Sequence, residues 1–182
     1  LVTGVQTCAL PIYHCTFGII TVSDRASFQV YEDKGGPAIL TFFEDSLLSP
    51  ATIHYVCIPD EQHEIEGALI RFADELRCDV IVTTGGTGPT QRDVTPEATM
   101  SVCDKILDGF GEQMRAISLR YVPTAILSRQ VGGIRGTTLI FNLPKISQKT
   151  SHNFQDLPMS FLVFFCKFPQ HLNLLNRSEE HT

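Results

Sequence analysis

Asp79-Val-Ile-Val-Thr-Thr-Gly-Gly-Thr-Gly-Pro-Thr-Gln-Arg-Asp-Val-Thr-Pro-Glu-Ala-Thr99 is the stretch on which the fold turns. Val80, Ile81 and Val82 form a short β-branched run of the kind that makes a strand buried on both faces. Thr83 and Thr84 lead into Gly85, Gly86, Thr87, Gly88 and Pro89, where no regular element can continue. Three glycines within four residues allow positive φ and bring a ligand close to bare backbone amides. Asp93 follows, and Thr95-Pro96-Glu97 carries the residue types of an N-cap, N1 and N2. Strand, amide-lined loop, carboxylate and helix start together make a cradle suited to phosphate and metal.

Upstream, Phe17 to Val22 reads as a first strand, rich in β-branched residues. Ser23-Asp24-Arg25-Ala26-Ser27 follows at its carboxyl end, the edge where open α/β sheets bind ligands. An Asx or Ser turn is the alternative for the same residues, and position alone favours that turn. After the loop Tyr31-Glu-Asp-Lys-Gly-Gly36, Pro37 opens a helix with Ile39, Phe43 and Leu47 on one face, closed by Pro50. Ile53 to Ile58 supplies a second strand. Ile65, Ala68, Leu69, Phe72, Ala73 and Leu76 then form a continuous apolar stripe at helical spacing, with Asp60 suited to cap that helix.

Downstream, a helix is expected from Pro96 to about Leu107, with Met100, Cys103 and Ile106 or Leu107 facing inward. A further helix places Phe110, Met114, Ile117 and Tyr121 on one face and ends at Pro123. Ala125–Leu127 and Thr138–Asn142 read as short strands, separated by Gly132, Gly133 and Gly136. Strands alternating with helices predict an α/β fold: three layers, a mostly parallel sheet with helices on both faces.

Composition sets the outer bounds. The chain has 182 residues, 43% of them hydrophobic, enough for one domain with a sizeable core. A net charge of −6 without a basic run argues against nucleic acid as the partner. The six cysteines show no C-x-x-C and no zinc-type pairing, as expected of thiols in a reducing cytoplasm. The apolar run Phe161 to Cys166 falls far short of the ~20 residues that cross a bilayer, so no membrane partner is expected.

The central loop is neither of two familiar glycine motifs. No Lys-Ser or Lys-Thr follows Gly88, which excludes a P-loop. Gly85, Gly86 and Gly88 have the wrong spacing for a dinucleotide fingerprint, and Lys105 stands where an acid is needed. Asp93 beside a polyphosphate would repel it by several kcal/mol at ~4 Å and an effective dielectric near 20. Mg²⁺ bridging carboxylate and phosphate oxygens reverses that sign, and Asp60 at a neighbouring strand end could share the ion. A solvated loop carboxylate is the alternative for Asp93, and plain capping the alternative for Asp60.

Ser23-Asp24-Arg25-Ala26-Ser27, Ile58-Pro59-Asp60-Glu61, Thr83-Thr-Gly-Gly-Thr-Gly-Pro89, Arg92-Asp93-Val94-Thr95-Pro96, Phe110-Gly-Glu-Gln-Met-Arg115 and Pro123-Thr-Ala-Ile-Leu-Ser-Arg129 occur in that order. Together they resemble the molybdopterin adenylyltransferase family of molybdenum cofactor biosynthesis, which includes domains similar to the gephyrin N-terminal domain. The resemblance covers about Phe17 to Pro144. It implies a three-layer α/β fold, usually trimeric, that transfers AMP from Mg-ATP to the terminal phosphate of molybdopterin and releases pyrophosphate. By resemblance, Asp60 and Asp93 are the catalytic and Mg²⁺-binding carboxylates. Ser23, Asp24, Thr84, Gly85, Gly86, Thr87, Gly88, Ser128 and Arg129 form the substrate pocket. A molybdenum insertase is the implied protein partner. A non-catalytic molybdopterin-binding module and a relative of the insertase domain are the alternative functions.

The ends depart from this pattern. Gln6-Thr-Cys-Ala-Leu-Pro-Ile12 can be encoded by DNA whose reverse complement encodes Arg177-Ser-Glu-Glu-His-Thr182. Both termini resemble a sequencing-library adapter translated in opposite directions. Residues 1–13 and 177–182 are therefore expected to be adapter-derived, and 14–144 to be the adenylyltransferase domain, incomplete at its C-terminal side. After Asn142-Leu143-Pro144 the family continues with Gly, whereas this chain has Lys145-Ile146-Ser147. Residues 145–176 read as a divergent tail, from a frameshift or read-through or from a lineage-specific extension.

Overall fold

The computed structural model describes residues 14–46 and 51–145. The adapter-like ends, the tail beyond Lys145, and the Leu47 and Pro50 assignments lie outside those residues. Strand β1 (Cys15–Val22) runs into a single helical turn, α1 (Asp24–Ser27), and then helix α2 (Gly35–Ser46). Strand β2 (Ala51–Ile58) precedes α3 (Gln62–Ile70), which continues as a π-helical turn through Arg71–Glu75. Strand β3 (Val80–Thr84) enters the glycine loop, followed by α4 (Thr95–Val102), the two-residue β4 (Lys105–Ile106) and α5 (Asp108–Ser118). A 3₁₀ turn (Pro123–Leu127), β5 (Gly132–Arg135) and β6 (Thr138–Leu143) complete it.

Among the described residues, six strands form one sheet in the order β2-β1-β3-β6-β5-β4. β2, β1, β3 and β6 are parallel, and β5 and β4 add an antiparallel edge. Alternate residues of the central strands feed two cores. Phe17, Ile19, Val80, Val82, Leu139 and Phe141 pack with Ile39 and Phe43 of α2 and Met114 of α5. Ile20, Val22, Ile81 and Ile140 pack on the other face with Ile65 and Leu69 of α3, Phe72 of its π turn, and Ala98 and Val102 of α4. This is the expected three-layer α/β architecture.

Several local expectations are corrected. Ala125–Leu127 is the 3₁₀ turn, not a strand, because Pro123 presets a helical φ and the Ala125 amide reaches the Val122 carbonyl at 3.0 Å. The glycine-rich separator at Gly132 and Gly133 is instead strand β5. A Cβ on Gly132 would stand 2.9 Å from Cβ of Phe110, and one on Gly133 2.6 Å from Sγ of Cys103, so the strand packs through its missing side chains. Helix α4 stops at Val102, where the sheet captures the chain: the Asp104 and Leu107 amides donate to the carbonyls of Ile134 and Gly132. Met100, on the outer face of α4, and Ile106 of β4 face solvent. Helix α5 ends at Ser118, leaving Tyr121 exposed beyond it.

Candidate functional site

β1 and β3 are hydrogen-bonded neighbours, yet the chain leaves them for opposite faces of the sheet. The helix after β1 packs in one core and the helix after β3 in the other. A crevice between strand ends that part in this way is where open α/β sheets hold ligands. The Ser23 amide donates to the Ile58 carbonyl at 2.9 Å, which draws the exits of β1 and β2 together there.

The glycine loop is shaped by contacts that exclude side chains. Gly85 has φ +107°, and a Cβ there would lie 2.2 Å from the Val22 carbonyl oxygen. Gly86 has φ +61°, and its Cβ would lie 2.3 Å from Oγ1 of Thr95 and 3.3 Å from Oδ1 of Asp60. Thr95 holds the loop from below: its amide donates to the Gly86 carbonyl at 3.1 Å and its hydroxyl to the Gly85 carbonyl at 3.0 Å. Thr95 is thus the first residue of α4 rather than its N-cap, a position taken by Val94. Gly85 spends its amide on the Leu143 carbonyl. The amides of Gly86, Thr87 and Gly88 have no protein partner among the described residues, so successive donors remain for an anion.

Two aspartates clasp each other across the strand exits. The Asp24 amide donates to Oδ2 of Asp60 at 2.7 Å, and the Asp60 amide donates to Oδ1 of Asp24 at 3.0 Å. Asp60 therefore does not cap α3; Glu61 holds the cap position without a side-chain bond. Arg92 grips both oxygens of Asp24, at 3.0 and 2.7 Å, and Oε1 of Glu61 at 2.8 Å. The Asp60 amide, with help from Arg92, pulls the Asp24 carboxyl below its ordinary range. Burial pushes the Asp60 carboxyl up, and the neighbouring charges of Asp24 and Asp93 push it further.

Asp93 bends back on its own loop. Oδ2 accepts from the Thr90 amide at 2.9 Å and the Thr90 hydroxyl at 2.5 Å. A Cβ on Gly88 would stand 2.9 Å from that oxygen, so Asp93 lies directly against the loop. Oδ1 of Asp60 and Oδ1 of Asp93 accept no hydrogen bond from the described residues and stay available. Among the described residues no cluster of three or more His, Cys, Asp and Glu could hold a metal ion. A pair of hard oxygen donors beside unpaired amides fits an ion shared with phosphate oxygens, not a protein-only cage.

Arg129 secures the loop from a distant part of the sequence. Its amide donates to the Thr87 carbonyl at 2.9 Å and its Nε to the Gly88 carbonyl at 2.8 Å. Its guanidinium also bonds Glu97 and the Asp93 carbonyl. Ser128 beside it has a buried hydroxyl with no protein partner, and Gln130 a buried amide group likewise unpaired. Ser23 and Thr84 face the opposite flank of the β1–β3 exits. A cavity of about 130 Å³ there also takes in Tyr31, Asp33, Lys34 and Lys145.

Sequence reasoning passed over Arg92, Glu97, Asp33 and Tyr31. Arg92 stands inside the quoted Arg-Asp-Val-Thr-Pro run, and its place beside Asp93 was the available signal. Asp33 had none: its role appears only once Thr21, Tyr55, Gly35 and Gly36 converge on its carboxylate.

A family model described as "Probable molybdopterin binding domain" matches residues 18–162. A protein named molybdopterin adenylyltransferase from Helicobacter pylori strain J99 is 58% identical over 127 residues, 70% of this chain and 72% of its own. One of the same name from Escherichia coli K12 is 48% identical over 163 residues, 87% of this chain and 84% of its own. Among solved structures, the molybdopterin biosynthesis enzyme MoaB of Thermus thermophilus superposes with a TM-score of 0.69 at 37% identity, covering 88% of this chain and 95% of that one. The parted strand exits, the glycine loop and its aspartates thus sit in a sequence aligned with these proteins over most of its length, and the chain belongs to the molybdopterin-binding family of molybdenum cofactor biosynthesis proteins.

Proposed function

We propose that this chain is a molybdopterin adenylyltransferase, transferring AMP from Mg-ATP to the terminal phosphate of molybdopterin. An oxygen of that phosphate forms a bond to the α-phosphorus of ATP, the bond to the β-phosphate oxygen breaks, and pyrophosphate leaves. The observation that carries the reading is the row of unpaired amides at Gly86, Thr87 and Gly88, flanked by free oxygens of Asp60 and Asp93. The names of the relatives, over most of their length, support the same reaction.

Asp60 and Asp93 are the residues that would hold Mg²⁺, which would supply charge neutralisation to the phosphates. The loop amides orient phosphate oxygens, and Arg92 keeps Asp24 and hence Asp60 in position. No general base is needed, since the attacking phosphate is already ionised, and alignment with charge neutralisation carries the rate. The trimer and the insertase partner belong to this proposal; exposed Leu119, Tyr121, Ile126 and Leu127 offer an apolar surface for association. No helix of the described residues is long and apolar enough to cross a membrane. The free thiols of Cys15, Cys57, Cys78 and Cys103 support a reducing, cytoplasmic setting.

Pyrophosphate release from Mg-ATP in the presence of molybdopterin tests the reading. Asp60→Asn and Asp93→Asn are each expected to slow release by about 10²–10³-fold, the scale of losing one electrostatic contact to the transition state. Unchanged rates in both variants would refute the carboxylate roles. Molybdopterin binding without any release would identify a non-catalytic module instead.

A further inference from the structure

The carboxylates occupy one flank of the parted strand exits, and the other flank has the opposite chemistry. The cavity there is bordered by Ser23, Tyr31, Lys34, Gly35, Thr84 and Lys145. We propose that it is a subsite for one phosphate monoester group that carries no metal, with Lys34 and Lys145, the first residue of the divergent segment, as its cations. The inference rests on the reading that the substrates are phosphorylated, and adds which residues take the phosphate that needs no Mg²⁺.

Size is the first argument. About 130 Å³ is well below the ~300–1,000 Å³ of a pocket that encloses a whole drug-sized ligand, so it suits one group of a larger molecule. Charge is the second. The Lys34 ammonium makes no ion pair among the described residues. Lys145 lies over the Tyr31 ring, 4.9 Å from its centroid, and donates to the Tyr31 hydroxyl at 2.6 Å, leaving two ammonium hydrogens.

The one carboxylate at this cavity is already committed. Oδ1 of Asp33 accepts from the Gly35 amide at 2.9 Å. Its Oδ2 accepts from Thr21, Tyr55 and the Gly36 amide at 2.7, 2.6 and 3.1 Å. Asp33 thereby fixes the loop that carries Lys34 and presents few lone pairs to a ligand.

Hydrogen inventory is the third argument. The Ser23 and Tyr31 hydroxyls share one hydrogen bond at 2.9 Å. Tyr31 oxygen also accepts from Lys145, so one hydroxyl hydrogen of the pair is left without an acceptor. An unspent donor in a cavity lined by two lysines fits a phosphate oxygen. The two flanks thus divide the proposed substrates: polyphosphate with its metal at the aspartates, and the metal-free terminal phosphate of the pterin substrate at the lysines.

Calorimetric titration of the full chain in excess chelator tests this, with inorganic phosphate, AMP and adenosine as probes. Phosphate is expected to bind, more weakly as salt rises, and AMP no more tightly than phosphate. Adenosine is expected not to bind. Lys34→Ala and Lys145→Ala should each weaken phosphate about tenfold, while Asp93→Asn leaves it unchanged. Lys145→Met keeps the side-chain length without the charge, so an equal loss there reads charge and not packing; thermal melts verify folding. Phosphate affinity surviving in Lys34→Ala/Lys145→Ala would overturn the proposal, since the glycine loop would then be the site. Adenosine binding that Lys34→Ala abolishes would also overturn it, by making the cavity a nucleoside site. Pyrophosphate release measured on the same samples separates the two readings: turnover without phosphate binding refutes the subsite alone, and phosphate binding without turnover supports the subsite and refutes the transfer reaction.

Discussion

Gly85 and Gly67 are both glycines with opposite reasons to be so. Gly85 has φ +107° and no room beside the Val22 carbonyl, whereas a Cβ on Gly67, inside α3, meets nothing within 4 Å. Gly85→Ala is expected to cost about 1–3 kcal/mol from backbone strain alone, and more from the clash. Gly67→Ala should stabilise by about 1 kcal/mol, as Ala does in an exposed helix interior. Urea unfolding of both variants checks the pair. At Asp60, burial and the charges of Asp24 and Asp93 raise the carboxyl above the ordinary 3.8. A carboxyl raised on folding favours the folded state at low pH, and that contribution is lost as pH rises through the raised value. Asp60→Asn, whose amide oxygen can still accept from Asp24, should therefore raise the Tm of the ligand-free protein at pH 7. If Asp60 holds Mg²⁺ as proposed, the same variant should also lose Mg²⁺ affinity. A Tm that falls at pH 7 would show that the charge is not the destabilising element.

At the scale of elements, α3 was legible because its stripe is long and its period unambiguous. Ile65, Leu69 and Phe72 are buried as the spacing requires. Leu69→Ala is expected to cost about 2–5 kcal/mol in urea unfolding, the range for a buried Leu truncated to Ala. Met100→Lys, on the exposed face of α4, should stay within about 0.5 kcal/mol. The Met100 contrast also marks where periodicity failed. Met100, Cys103, Ile106 and Leu107 have a spacing that fits a helix, but α4 ends at Val102 and the next residues pair with β5. A two-residue edge strand has no period to detect. Gly132 and Gly133 were equally silent, because a strand that packs through absent side chains carries no hydropathy signal.

For the whole molecule, Arg129 shows how the site depends on parts remote in sequence. It joins the segment after the 3₁₀ turn to the Thr87 and Gly88 carbonyls, Glu97 of α4 and the Asp93 carbonyl. Arg129→Lys cannot reproduce that planar fork. It is expected to slow adenylyl transfer roughly tenfold, about 1.4 kcal/mol in the barrier, with a smaller fractional change in Tm. An unchanged rate with a lowered Tm would reduce Arg129 to a structural brace. Asn142, fully buried, likewise ties β6 to Thr83 of β3 and Thr99 of α4, at 3.1 and 2.9 Å. Local chemistry by itself determined the three-layer plan, the glycine loop and the apolar face of α3, since each rests on short-range period or on residue types only glycine and proline supply. Tertiary structure alone decided that Asp60 clasps Asp24 instead of capping α3, that Thr95 holds the loop from inside α4, and that Lys34 and Lys145 meet at one cavity. Those arrangements join residues separated by 36, 10 and more than a hundred positions. Only the folded sheet brings their donors and charges within reach, so no local pattern could announce them.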